Sequence, residues 1–148
     1  MDEHNEEKEI VPSSSPREHQ GEEIVVADIK IGNRLNGHEG IVHGGIISLL
    51  LDDAMGYGFY ALFHSRSSTS SKSEGQESHT ENDAMGVTAN LNVNFCALMP
   101  QGTEGVIRVY HRKSVGRKVY LAARLTNYDG TLLYSHATSL YVSVKPKK

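Results

Sequence analysis

The hydrophobic pattern of the chain is dominated by one long segment, residues 46–63, in which apolar side chains recur on nearly every side. The segment contains no proline and is too long for an ordinary strand. A helix that is apolar all round is a buried helix. We therefore predict a long central helix that the rest of the domain covers.

Five shorter segments have the apolar patterns typical of strands. One precedes the helix, at residues 24–31, and four follow it, at residues 88–95, 104–112, 118–128 and 131–144. The alternation in residues 88–95 is unbroken, and it predicts a polar face formed by Thr88, Asn90, Asn92 and Asn94. This order of elements predicts an α+β fold in which an antiparallel sheet wraps around one long helix.

Two stretches lack such a pattern. Residues 1–22 are charged and rich in serine and proline, so we expect a disordered acidic tail that cannot offset its ordering entropy by burial. Residues 64–86 are polar and Ser-rich, and they predict a long loop inserted into the domain. The remainder, residues 23–148, is expected to form a single domain.

The charges are unevenly distributed along the chain, although the net charge is only −3. Residues 1–23 carry eight acidic and two basic side chains, whereas residues 105–148 carry nine basic side chains and one acidic. A cationic C-terminal third suits an anionic ligand. Its apolar strand patterns argue against a nucleic-acid-binding tail.

Several classes of protein are disfavoured by the composition. No uninterrupted apolar run is long enough for a membrane span, and the acidic N-terminus resembles neither a secretory signal nor a transit peptide. The single cysteine, Cys96, excludes an internal disulfide and a cysteine-based zinc site. A single cysteine fits a reducing compartment, so we expect an intracellular protein; the sequence does not decide between the cytoplasm and the mitochondrion.

Two adjacent carboxylates, Asp52 and Asp53, interrupt the apolar helix. A lone buried charge costs several kcal/mol unless it is paired or hydrogen-bonded, so such residues are tolerated mainly at functional sites. Adjacent helical residues point about 100° apart, so both cannot serve one site, and the spacing does not select between them. The structural alternative is that one or both of them lie at a subunit boundary or meet a buried arginine such as Arg124.

The helix is preceded by His43, Gly44 and Gly45. Free amides at a helix N-terminus stabilise negative charge, and glycine permits close approach of a ligand carbonyl. The motif therefore predicts an oxyanion hole for a tetrahedral intermediate. An ordinary Gly-rich entry into a helix is the structural alternative.

These motifs together resemble the small hotdog-fold acyl-CoA thioesterases of the phenylacetate-pathway-like group, and within it the branch of thioesterase superfamily members four and five. The stretches that carry the resemblance, within residues 23–144, are GIVHGGIISLLLDDAMG, GVTANLNVNF, the Gly116-Arg117-Lys118 turn and TLLYSHATSLYV. The resemblance implies a hotdog fold, a homodimer or homotetramer, and hydrolysis of medium- to long-chain fatty acyl-CoA. No cofactor is implied, since coenzyme A is part of the substrate.

The resemblance also assigns roles to residues. It implies that Asp52 is the catalytic carboxylate, Gly44 the oxyanion amide and Thr88 the hydroxyl that positions water. It implies an active site built across a dimer interface, where His43 and Gly44 of one subunit meet Asp52 and Thr88 of the other.

Further residues are expected to bind substrate. The family often has an asparagine shortly before the HGG motif, and Asn36 lies near that place, while Gly45 belongs to the motif itself. The phosphates of coenzyme A suit a clamp of basic side chains around one turn, which the sequence offers as Arg112, Lys113, Arg117 and Lys118.

Other functions remain alternatives. A hotdog hydratase or dehydratase would act on the acyl β-carbon, and a non-catalytic module would bind acyl-CoA or lipid without turnover. The histidines show none of the spacings of metal sites, so no metal is expected. Cys96 has no histidine partner nearby in sequence, so we expect it to be structural.

Overall fold

The structure is a computed structural model in which residues 21–67 and 85–145 are described. Most of the predicted acidic tail, residues 1–20, and most of the predicted Ser-rich loop, residues 68–84, lie outside the described residues. The described residues form one helix and seven strands: β1 (Glu22–Lys30), β2 (Asn36–His38), β3 (Ile41–Val42), α1 (Gly44–Ser67), β4 (Met85–Phe95), β5 (Glu104–Val115), β6 (Lys118–Asn127) and β7 (Leu133–Val144).

Five of these strands form one antiparallel sheet, in the order β1-β5-β6-β7-β4. Helix α1 packs against one face of this sheet and contacts all five strands. Its side chains Leu51, Met55 and Phe59 are fully buried against Val109 and Leu121 of the sheet. Strand β4 lies at the edge of the sheet, next to β7 alone among the described strands.

The main elements lie where the sequence predicts them, with three differences. Helix α1 begins at Gly44 and continues to Ser67, into the stretch predicted as loop, and β4 begins at Met85. The Gly-rich segment before the helix contains the small antiparallel pair β2 and β3. All three residues of β2 are exposed, so this strand has no hydrophobic periodicity to reveal it.

The prediction of unbroken alternation in β4 is wrong. A β-bulge lies between Thr88 and Asn90: Thr88 pairs with Tyr141, and Asn90 pairs with the preceding residue of β7, Leu140. The inserted residue reverses which side chains face the helix. Thr88 therefore faces α1, whereas Asn90 and the asparagines that follow it lie on the opposite face of the sheet.

The prediction that the central helix is covered on every side is also corrected. One surface of α1 carries large apolar side chains that are mostly exposed, with Leu49 at 62% and Tyr57 at 66%. The segment Gly44–Phe63 is long and apolar enough to cross a membrane by length and composition alone, a property that core helices of soluble proteins share. In this fold the opposite surface of the same helix forms the centre of the core.

Candidate active site

The N-terminus of α1 is capped by a histidine. The carbonyl of His43 accepts the amides of Ile46 (2.9 Å) and Ile47 (3.2 Å), and its Nδ1 atom accepts the Gly45 amide at 2.8 Å. The side chain thereby acts as an N-cap, which satisfies one of the orphan donors of the first turn. Because Nδ1 is an acceptor here, the proton of the neutral ring lies on Nε2.

The cap distinguishes the two glycines of the motif. The Gly45 amide donates to His43 Nδ1 and so is not free to bind substrate in this conformation, and a substrate-binding role for Gly45 stays a prediction. The Gly44 amide belongs to the first residue of the helix and has no hydrogen-bond acceptor within residues 21–67 and 85–145. A Cβ atom on Gly44 would lie 3.3 Å from the ring of Phe95, so this glycine packs closely on the end of β4.

Asp52 is half-buried in the middle of α1 and faces β4 and β7. Its Oδ1 atom accepts hydrogen bonds from the Thr88 hydroxyl at 3.0 Å and from the Tyr141 hydroxyl at 2.8 Å. The Tyr141 hydroxyl also lies 2.6 Å from the backbone carbonyl of Asp52. The bulge in β4 is what brings Thr88 to this side of the sheet.

The two aspartates thus differ in their surroundings. Asp53 is exposed, whereas Asp52 is held by two hydroxyls. The structural alternative of a pair with Arg124 is excluded, because Arg124 lies between Arg108 and His136 on the face of the sheet opposite the helix. The structure therefore brings Asp52, and not Asp53, together with Thr88. Helical spacing alone could not distinguish the two aspartates.

Within one chain, the Gly44 amide is not part of this cluster. Gly44 and Asp52 are eight positions apart in the same helix, which is about 12 Å along the axis at a rise of roughly 1.5 Å per residue. A single carbonyl group must lie within about 3–3.5 Å of both its oxyanion donor and its attacking atom. One subunit therefore cannot present both groups to the same carbonyl.

The four predicted phosphate-binding residues divide into two pairs. Arg112 and Lys113 line an open cavity of about 810 Å³ on the outer face of the sheet, together with Tyr120, and the Lys113 ammonium lies 4.6 Å from the Tyr120 ring centroid. Arg117 lies in the turn between β5 and β6, and Lys118 is the first residue of β6; we call these two residues the turn pair. All four side chains are exposed, as an ion-binding role requires.

Asn36 lies in β2, and its side-chain amide donates to Gln101 Oε1 at 2.7 Å. The backbone of the adjacent Gly37 packs against His43, since a Cβ atom there would lie 3.0 Å from the imidazole Cδ2. Asn36 is therefore near the capped helix end but is engaged with Gln101. Among the described residues, no three His, Cys, Asp or Glu side chains come together as a metal site requires.

Comparison with known proteins shows the family. Residues 39–134, more than half of the chain, match the family described as the thioesterase superfamily. The chain belongs to the thioesterase superfamily. The match includes both the HGG motif with its helix and the bulged strand β4.

Among curated proteins, the chain is 32% identical over 117 residues to acyl-coenzyme A thioesterase THEM4 of Bos taurus, and 29% identical over 117 residues to the protein of that name from Mus musculus. Each match covers 79% of this chain but only 40% and 42% of the relatives. The chain thus spans less than half the length of the curated relatives it matches.

Solved structures share the fold at low sequence identity. A hypothetical thioesterase protein with coenzyme A from Streptococcus pneumoniae is 18% identical with a TM-score of 0.66, and the match covers 88% of this chain and 89% of that one. The PaaI protein of E. coli is 13% identical with a TM-score of 0.62, covering 82% and 73%. The predicted α+β hotdog fold is confirmed.

Two features of this site were missed by reasoning from the sequence. The contact of Tyr141 with Asp52 joins residues 89 positions apart, and only the register of β7 reveals it. The histidine cap was missed because histidine is not among the usual N-cap residues. The position of His43 directly before two glycines and an apolar helix was the available signal.

Proposed function

We propose that this chain hydrolyses acyl-CoA thioesters to a free acid and coenzyme A, with medium- to long-chain fatty acyl groups as substrates. The observation that carries the proposal is the carboxylate of Asp52, held at Oδ1 by Thr88 and half-exposed on an apolar helix. The names of the curated relatives, acyl-coenzyme A thioesterases, support the same substrate class.

The active site is formed by two subunits. The Gly44 amide and the Asp52 carboxylate of one helix are about 12 Å apart along its axis, so a thioester that uses both must take one from each chain. Each subunit would then contribute to two sites, as isologous association requires.

Strand β4 supplies the surface for this association. It is eleven residues long, lies at the edge of the sheet and runs antiparallel to β7. If two copies pair antiparallel along this edge about a twofold axis near Leu91, Thr88 of one copy lies opposite Phe95 of the other. Since Gly44 packs on Phe95, this pairing would bring the partner's helix N-terminus toward Asp52.

The chemistry follows from this arrangement. The thioester oxygen accepts a hydrogen bond from the Gly44 amide, which stabilises the negative charge that develops on that oxygen. Asp52 either removes a proton from a water molecule oriented by Thr88, so that the water oxygen bonds to the carbonyl carbon, or attacks this carbon itself to form an anhydride that water then hydrolyses. In either route the carbon–sulfur bond breaks, the sulfur leaves with the bonding electron pair, and it takes up the proton released by that water to give the thiol of coenzyme A.

The remaining residues are assigned to binding. Arg117 and Lys118 would bind the phosphates of coenzyme A most directly, with a smaller contribution from Arg112 and Lys113. The His43 cap directs the Gly45 amide away from substrate and leaves the Gly44 amide as the donor. Coenzyme A enters as part of the substrate, and no resident cofactor takes part.

The test is a thiol-release assay with a panel of saturated acyl-CoAs of increasing chain length, run beside enoyl-CoA hydration and equilibrium binding. Release of free coenzyme A with a maximum at medium or long chains is the expected result. Enoyl-CoA turnover without thiol release would instead identify a hydratase. Binding without any turnover would identify a non-catalytic module.

A further inference from the structure

The hydroxyl of Tyr141 contacts two oxygen atoms of Asp52, one in the carboxylate and one in the backbone. It is 2.8 Å from Oδ1 of the carboxylate and 2.6 Å from the backbone carbonyl of the same residue. Tyr141 comes from the strand next to β4, and its register partner across the sheet is Thr88. The two hydroxyls therefore approach Oδ1 from neighbouring strands, whereas Oδ2 has no hydrogen bond within the described ranges.

The tyrosine ring is fixed by its packing. Tyr141 is only 4% exposed and stacks on Phe59 of the helix, with ring centroids 5.8 Å apart and an interplanar angle of 28°. A buried ring in such a contact has little freedom, so its hydroxyl is a preorganised group.

The hydroxyl also remains a donor across the working pH range. Burial raises the pKa of the Tyr141 phenol above its ordinary value. The neighbouring carboxylate of Asp52 also disfavours ionisation of the phenol, because two negative charges would repel each other. The proton of Tyr141 therefore stays available to Asp52 under neutral and mildly alkaline conditions.

We propose that Tyr141 is a positioning residue for the thioester hydrolysis: with Thr88 it holds Oδ1 of Asp52 and so makes Oδ2 the reacting oxygen. This inference rests on the proposed function. Tyr141 acts through Asp52 and does not touch the substrate.

The double contact of the hydroxyl suits a carboxylate that gains and loses a proton. When Asp52 is ionised, the tyrosine donates to Oδ1. When Oδ2 of Asp52 takes up a proton, the hydroxyl can keep donating to Oδ1 or donate to the backbone carbonyl instead, because both acceptors lie within hydrogen-bond distance. The same residue thereby accommodates both states without moving its ring.

Tyr141→Phe tests the proposal, because it removes the hydroxyl and keeps the ring that packs on Phe59. We expect kcat to fall about 10-fold to 100-fold, as for the loss of a hydrogen bond to a charged group, while KM changes less than about twofold. Hydrogen bonding favours the charged carboxylate, so the acidic limb of the pH–kcat/KM profile should move to higher pH. In an Asp52→Asn background the same substitution should have almost no further effect on kcat.

The matched control is Tyr134→Phe. Tyr134 is a second buried tyrosine of β7, and its hydroxyl has no contact with Asp52, so kcat and the pH profile should stay as in the wild type. If wild type hydrolyses acyl-CoA and Asp52→Asn does not, yet Tyr141→Phe leaves kcat and the profile unchanged, the positioning role is refuted alone. Equal losses from Tyr141→Phe in both backgrounds would also refute it. A wild-type protein inactive on the whole acyl-CoA panel would overturn the proposed function itself.

Discussion

The two faces of the five-stranded sheet carry polar residues under different physical conditions. On the outer face, Asn90 and Arg124 are at least partly exposed, and water can satisfy them. On the helix face, the polar cluster consists of the exposed Thr88, the half-buried Asp52 and the buried Tyr141, which stacks on the fully buried Phe59, and the three side chains are hydrogen-bonded to one another. Because the partly desolvated carboxylate of Asp52 and the buried hydroxyl of Tyr141 need hydrogen-bond partners, this cluster indicates function more strongly than the polar residues on the outer face.

The β-bulge in β4 decides which side chain belongs to which face. Without the inserted residue, Thr88 would share the outer face with Asn90, and Asp52 would lose one of its two hydroxyl partners. Bulges of this kind are common beside active sites, where they redirect a side chain. The contrast between the faces is therefore a local feature of the backbone, which substitutions can test in order of expected effect.

The largest effect is expected for Asp52→Asn. Loss of the proposed acid–base or nucleophilic group should lower kcat by about 10²-fold or more, measured by thiol release from an acyl-CoA. The control is Asp53→Asn at the exposed neighbouring position, which should keep kcat within about twofold. Near-normal hydrolysis by the Asp52 variant would remove this residue from the mechanism.

Thr88→Val should lower kcat by about tenfold, since it removes a hydroxyl bound to a charged oxygen while it keeps the β-branched shape. Thr88→Ser, which keeps the hydroxyl, should recover most of the activity. Asn92→Thr on the outer face is the matched substitution across the sheet and should leave kcat unchanged. Equal kcat values for Thr88→Val and Asn92→Thr would contradict the proposed functional difference between the two faces.

Gly86→Ala tests the packing of β4 on the helix. A Cβ atom at this position would overlap the ring of Phe59, so the ring or the strand must shift. We expect the free energy of unfolding to fall by about 1–3 kcal/mol, as is typical of overpacking, measured by urea denaturation. Gly32→Ala is the control, because a Cβ atom there meets no atom within 4 Å. Equal stabilities of the two variants would contradict the close approach.

The smallest effect is expected among the basic residues. The turn pair Arg117 and Lys118 lies at the start of β6, whereas Arg112 and Lys113 lie in β5. In the order of the sheet, β6 is one strand nearer to β4 than β5 is. Alanine substitution of the turn pair should raise KM for acyl-CoA about 3-fold to 10-fold, less so at high salt. The same change of Arg112 and Lys113 should raise it by less than about twofold. The reverse order would move the phosphate site to the outer cavity.

Much of the fold could be predicted because hydrophobic periodicity reports burial directly, as in α1 and the strands β4 to β7. The strand β2 could not, because its residues are all exposed. The bulge at Thr88 could not be predicted either, since the sequence still alternates between apolar and polar residues across the inserted position. For the same reason the sequence assigned Thr88 to the wrong face.

Of the candidate site, the sequence could indicate the residue types but not their partners. Asp52 and Asp53 are the same residue type at adjacent positions, and only the fold distinguishes Asp52, which contacts Thr88, from the exposed Asp53. Tyr141 follows the ordinary alternation of a strand, so nothing local marks its hydroxyl as a partner of a carboxylate. The occupied amide of Gly45 depends on the rotamer of His43, which a sequence does not contain.

The central claim is that Asp52 and Gly44 act on one thioester from different subunits, and subunit complementation tests it most directly. Gly44→Pro removes the proposed oxyanion amide at the first helical position, where the helix backbone accepts proline; the added ring atoms require the exposed side chain of Phe95 to shift. Asp52→Asn removes the carboxylate. Each variant alone should be inactive, and a mixture of the two refolded together should regain about a quarter of wild-type activity, because half of the dimers would be mixed and each would hold one intact site. Absence of any recovery, in a mixture shown by mass spectrometry to contain mixed oligomers, would contradict the account.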